Sequence, residues 1–219
     1  MKKLFTLLLA IILLSGTCYA EEGNADLQML EEYNIFTGDE NGYRLEDNIT
    51  KGEFVKMLAV ASMYVDITQQ NGFSTNGDSD EKAYNDLTEQ DWEYPYFMFM
   101  DVLGMGVTQD NTTNAKSYLT YTECFKYAVK ALGYEVSDNS IQNTMRATEL
   151  GITRDLAVQI NDNCTRENAV KIISNTLSIP VCALKSYDVE SGRKEYTVLD
   201  GKEGREYRTL KTNLEKLNN

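Results

Sequence analysis

The sequence predicts a mainly α fold of three helix–loop–helix repeats packed together and followed by a small C-terminal β-hairpin. Two observations predict the repeats. A threonine opening an amphipathic helix occurs three times, in Ile49-Thr50-Lys51-Gly52-Glu53-Phe54, Leu119-Thr120-Tyr121-Thr122-Glu123-Cys124 and Cys164-Thr165-Arg166-Glu167-Asn168-Ala169. Upstream of each threonine lies a second helical run with a stop residue: 25–33 before Asn34, 96–103 before Gly104 and 141–150 before Gly151. One such unit has a single apolar stripe per helix, which it can bury only against another unit. The third observation concerns the tail. The β-prone runs 193–199 and 205–210 flank Asp200-Gly201-Lys202-Glu203-Gly204, which predicts a hairpin.

Taken in chain order, residues 1–20 read as a secretory signal peptide. Lys2 and Lys3 precede an apolar run over 4–14, and Cys18-Tyr19-Ala20 supplies a small-residue cleavage site. Lipidation at Cys18 is the alternative, although Gly16-Thr17 suits that processing poorly. The units are expected over 21–66, 67–138 and 139–183, with the β segment over 184–219. The threonines are 70 and 45 residues apart, so the first interval holds an insertion, placed in the polar stretch 69–82. No second apolar stretch is long enough to span a membrane.

Counting from each threonine, offsets +4, +5, +8 and +9 are Phe54, Val55, Leu58 and Ala59 in the first unit. They are Cys124, Phe125, Ala128 and Val129 in the second, and Ala169, Val170, Ile173 and Ser174 in the third. These offsets trace one stripe on a helix of 3.6 residues per turn. Thr50 with Glu53, and Thr120 with Glu123, have the spacing of a capping box; Thr165 is followed by Asn168 at that position, which weakens the cap.

Composition removes several classes of function. Without Lys2 and Lys3, 19 basic residues face 34 acidic ones, a net charge of −15 that disfavours nucleic acid as a partner. The absence of histidine excludes Ser-His-Asp and Cys-His catalysis and any His-ligated metal. Cys124 and Cys164 occupy positions that are mostly apolar in the other units, so they read as small buried hydrophobes, with a disulfide or ligand role as the alternative. Asp39-Glu40-Asn41-Gly42 lacks the spacing of a calcium loop and reads as a turn. Glu53 and Glu123 read as helix caps rather than the paired acids of a glycosidase. The expectation is a protein that is not an enzyme and uses no cofactor or metal.

These units resemble the S-layer homology (SLH) domain, whose repeats carry a helix, a Gly-Ile-type stop, a loop and an Ile-Thr-Arg-Ala-Glu motif opening a second helix. Tyr84-Asn85-Asp86 and Trp92 followed by Tyr94-Pro95-Tyr96 are similar to the leading half of such a repeat. Lys130-Ala131-Leu132-Gly133-Tyr134-Glu135 and Asn175-Thr176-Leu177-Ser178-Ile179-Pro180 are similar to clostridial phrases. The resemblance implies a pseudo-threefold helical bundle. It further implies a secreted protein held non-covalently at the cell wall through secondary cell-wall polysaccharide of the peptidoglycan sacculus. In the family the motif arginine meets an acidic sugar, a role that suits a planar guanidinium. That position is Lys51, Tyr121 and Arg166 here, and Trp92 is the candidate stacking surface. The alternative reading is an extracellular module that has lost sugar binding and docks other surface proteins.

Overall fold

The computed structural model describes residues 24–62 and 84–217. The expected signal peptide and the polar stretch 69–82 lie outside the described residues. Helices run over α1 (Ala25–Glu32), α2 (Lys51–Ala61), α3 (Tyr94–Val102), α4 (Tyr121–Ala131), α5 (Ser140–Leu150) and α6 (Arg166–Leu177). The tail holds β1 (Cys182–Tyr187), β2 (Lys194–Val198) and α7 (Leu210–Leu217).

Each upstream helix ends as its composition dictates. Asn34, Gly104 and Gly151 are all left-handed, at φ of 55°, 68° and 88°. The amide after each stop reaches back to the carbonyl five residues earlier: Ile35 to Leu30 at 2.8 Å, Met105 to Met100 at 2.9 Å and Ile152 to Ala147 at 2.8 Å. These are Schellman closures, and they turn an apolar side chain inward just after the helix. Ile35, Met105 and Ile152 are buried there. The stripes of α2, α4 and α6 are buried too, and Phe54 of α2, Phe97 of α3 and Phe125 of α4 are the largest wholly enclosed side chains. Full burial of such a side chain stabilises by roughly 1.5–3 kcal/mol.

The loops before the threonines hold the units together. Ile49 N–H donates to the Cys164 carbonyl at 2.8 Å, Cys164 N–H to Leu119 at 2.8 Å, and Leu119 N–H to Ile49 at 3.3 Å, closing a ring of three hydrogen bonds. The same cyclic order satisfies the first-turn amides that a helix leaves without partners. Lys51 and Gly52 donate to Ser117 and Ala115, Tyr121 and Thr122 to Asp162 and Ile160, and Arg166 and Glu167 to Asp47 and Leu45. Each capped helix is therefore seated on the loop of another unit.

Two expectations need correction. Helical conformation covers about 42% of the described residues, so the fold is not a mainly α bundle. Loops and isolated bridges such as Asn48 to Thr165, Thr50 to Tyr118 and Thr120 to Asn163 make the central joint. The hairpin is also displaced. Its regular strands are β1 and β2, paired antiparallel with Leu184 opposite Tyr196, whereas the expected second strand over 205–210 makes only single bridges, Tyr207 to Asp200 and Thr209 to Pro180. The reason is local. The Thr209 hydroxyl accepts the Thr212 amide at 3.1 Å, which turns the chain into α7, and Leu210 and Leu214 bury against the body. Among the described residues no helix is long and apolar enough to cross a membrane.

The Tyr84-Asn85-Asp86 segment is a loop clamp. Asp86 accepts the Thr113 amide at 2.8 Å, the Thr113 hydroxyl at 3.0 Å and the Asn114 amide at 2.7 Å. Burial alone would raise its pKa, but these donors outweigh burial and hold it below the ordinary carboxylate value. Asp26 is lowered in the same way, because hydrogen bonds from Ser174 and Lys171 outweigh its desolvation. A depressed folded-state pKa contributes stability above the unfolded value, about 3.9, and loses it as pH falls through the folded value. Tm should therefore decline as pH drops below about 4. Asp86→Ala should cost about 1–2 kcal/mol at neutral pH and make that acid decline shallower. Thermal melts of both proteins from pH 6 to pH 2.5 check this, and an unchanged acid limb would remove Asp86 from the account.

Candidate ligand groove

A groove of about 330 Å³ opens where the loop after α1 meets the first turns of α2 and α6. Ile35, Phe36 and Met57 contribute apolar lining, and Asp39, Arg44, Glu53, Lys56, Trp92 and Arg166 contribute its chemistry. Two of the four sequence-selected ligand residues, Trp92 and Arg166, meet here. Lys51 and Tyr121 do not line it.

Arg166 is 4% exposed. Its Nε donates to the Tyr43 carbonyl at 2.8 Å, its Nη1 pairs with Glu53 Oε1, and its guanidinium carbon lies 5.1 Å from the centre of the Phe36 ring. Glu53 divides its two oxygens. Oε2 accepts the Thr50 amide at 2.9 Å and the Thr50 hydroxyl at 3.1 Å, while Oε1 faces Arg166 and, at 3.7 Å, Arg44. The cap of one unit is thus also the counter-ion of another.

The corresponding residues repeat this contact with different chemistry. The Tyr121 hydroxyl accepts Asn168 Nδ2 at 2.7 Å, so a neutral pair stands at that seam. Asn168 serves the seam, and its amide still donates to Thr165 Oγ1 at 3.3 Å. Lys51, 9% exposed, places its ammonium 6.0 Å from the Phe97 ring centre and 5.9 Å from that of Tyr127. Burial lowers its pKa, against the attraction of Glu123, Asp86 and Asp101. Glu123 accepts the Thr120 amide at 2.8 Å and the Thr120 hydroxyl at 2.7 Å. The residue after each threonine therefore faces another unit's third helical residue or its surroundings.

Two cations of the groove were not singled out from sequence. Arg44 is more exposed than Arg166 and pairs with Asp39 at 2.8 Å and Asp47 at 3.2 Å. It stands at a φ of 48°, in a loop with no repeated motif to flag it. Lys56 sits on the second turn of α2 and makes no salt bridge among the described residues. Burial lowers its pKa, with Glu53 raising it and Arg166 lowering it further. Trp92 is 49% exposed, packs edge-on to Tyr96 at 6.3 Å and carries the Lys116 ammonium at 5.8 Å. Its ring offers a partly open apolar face beside three cations. The first-turn amides of α2 and α6 already donate to loops or caps, so side chains must supply the donors for any anion here.

No family model matches the chain. Over 177 residues it is 27% identical to the middle cell wall protein of Brevibacillus brevis (strain 47), with 75% of this chain aligned. The chain spans 16% of that relative's length. The likeness points to a location at the cell wall.

Proposed function

We propose that the chain associates non-covalently with the cell wall by binding an anionic sugar of a secondary cell-wall polysaccharide in this groove, as a non-enzymatic module of SLH type. The convergence of Arg44, Lys56 and Arg166 beside the open face of Trp92 carries this reading. A sugar carboxylate entering the groove competes with Asp39 for the Arg44 fork and gains the partly desolvated Lys56 ammonium. The apolar face of the ring stacks on Trp92. Arg166 stays locked to Glu53 and Tyr43 and holds the wall of the groove in place. Nothing in this mechanism requires proton transfer or bond cleavage.

Retention on purified sacculi provides the test. Arg44→Ala and Trp92→Ala should each weaken retention about 10-fold or more, the scale of one lost charge-assisted hydrogen bond or stacked ring. Binding should fall with salt and vanish when the polysaccharide is stripped from the peptidoglycan. Retention that survives stripping sinks the sugar reading and favours docking to another surface protein.

A further inference from the structure

We propose that Cys124 and Cys164 are joined as a disulfide in the exported protein, stapling the second unit to the third beside the central loop ring. Both side chains are fully buried, and the structure holds them as free thiols. The surrounding backbone is fixed on both sides. Cys164 donates to the Leu119 carbonyl at 2.8 Å and accepts from the Ile49 amide at 2.8 Å, so it is one of the three residues of the ring. The Cys124 amide donates to Thr120 at 3.1 Å, and Thr120 is itself bridged antiparallel to Asn163. Burial pushes the Cys124 thiol up, and the neighbouring Cys164 thiol adds to it. The Cys164 Sγ donates to the Thr165 carbonyl at 3.4 Å.

Core packing alone does not account for the pair. The position of Cys164 is Ile49 and Leu119 in the other units, and that of Cys124 is Phe54 and Ala169. Two different positions of the repeat are therefore cysteine, and the fold makes them neighbours in the core. A disulfide needs sulfurs about 2.05 Å apart. Rotation that releases the Cys164 Sγ from the Thr165 carbonyl would turn it toward its neighbour.

Two thiols lose two protons and two electrons when the bond forms. The acceptor is an external disulfide, small-molecule or protein-borne, which is reduced to two thiols through a mixed disulfide. The final sulfurs are sealed from water and Cys124 is a poor thiolate in the folded protein. The exchange therefore occurs before the third unit docks, and docking then shields the bond from reductants. The closed loop is 40 residues long. Cys182, half-buried in β1, keeps its thiol. The inference rests on an exported location and is independent of the groove.

The exported chain, freed of residues 1–20 with Cys18 and kept free of reductant, is denatured in an alkylating reagent, digested and mapped by mass spectrometry. The expected result is one linked species joining the Cys124 and Cys164 peptides, two hydrogens lighter than their sum, with Cys182 alkylated. Reduction before melting should lower Tm by roughly 10 °C, the scale for a loop of this length. Alkylation of all three cysteines without prior reduction, even after refolding with oxidised glutathione, would overturn the proposal. Linkage through Cys182 would overturn it equally. A Cys182→Ser chain that still forms the linked species shows that the third cysteine plays no part.

Discussion

Replacing Arg166 by alanine is expected to lower stability by about 3 kcal/mol, a fall of roughly 10 °C in Tm for a chain of this size. The guanidinium is almost wholly enclosed, and Glu53, with its side chain 22% exposed, would be left with only the more distant Arg44 as a cationic partner. Removing one member of a buried pair costs more than the pair contributes, because the remaining charge stays desolvated. The Tyr43 carbonyl loses its donor in the same substitution, and Phe36 loses the plane packed on it. Lysine at this position keeps the charge but not the fork, so Arg166→Lys should recover about half of the loss. A double-mutant cycle with Glu53→Gln, read by urea denaturation, should give a coupling of at least about 1.5 kcal/mol. Additive effects would show that the two side chains do not support each other. Wall retention by Arg166→Ala has meaning only for molecules shown to be folded, which is why Arg44 is the cleaner probe of binding.

The sequence carried the joints of this fold more clearly than its class. Stop residues, caps and stripes are local signals, since each depends on side chains a few positions apart. Asn34, Gly104 and Gly151 sit at left-handed stops, and Glu53 and Glu123 cap their threonines. Helix content depends instead on how far each helix extends before a loop finds better partners elsewhere. Backbone groups of residues 45–49, 115–119 and 160–164 pair across units, and no side-chain pattern announces that exchange. The tail failed for a similar reason. The run 205–210 has β-prone residues, but it makes only single bridges before the cap at Thr209 and the spacing of Leu210 and Leu214 start a helix. Strand β1, with alanine, leucine and lysine at its centre, offered little β signal of its own.

The groove was legible in part, and the division is physical. Arg166 and Trp92 stand out as a motif position and a lone tryptophan, and both line it. Lys51 and Tyr121 share the motif position of Arg166, but that position points along the seams between units. Only one seam opens into this groove. Arg44 and Lys56 were missed because a loop arginine and a mid-helix lysine resemble any solvated cation until the chain is folded around them. The change from Glu53 and Glu123 to Asn168 looked like a weakened cap. In the structure it is one half of a neutral pair, with Tyr121 as the other half.

Gly133→Ala should destabilise the protein by about 3–4 kcal/mol, whereas Gly151→Ala should cost only about 1 kcal/mol. The two glycines are conformationally alike, at φ of 82° and 88°, and each closes a helix. Gly133 donates to Lys130 at 2.9 Å while the next amide, of Tyr134, reaches Val129 at 3.3 Å, so α4 ends in the same Schellman geometry as α5. Their surroundings differ. A β-carbon on Gly151 meets nothing within 4 Å, so alanine there pays only for its left-handed backbone. On Gly133 it would lie 2.1 Å from the Cys182 carbonyl oxygen, an atom that cannot swing away like a side-chain tip. Relieving that clash pushes β1 off the end of α4 and breaks the 2.7 Å hydrogen bond from the Cys182 amide to Leu132. Urea titration of both variants separates the two contributions, provided their m-values agree with that of the parent. Hydrogen exchange at the Cys182 amide should rise in Gly133→Ala and stay unchanged in Gly151→Ala. Equal losses in the two variants would mean that backbone strain alone governs both sites, and the tail would not depend on the approach of its backbone to Gly133.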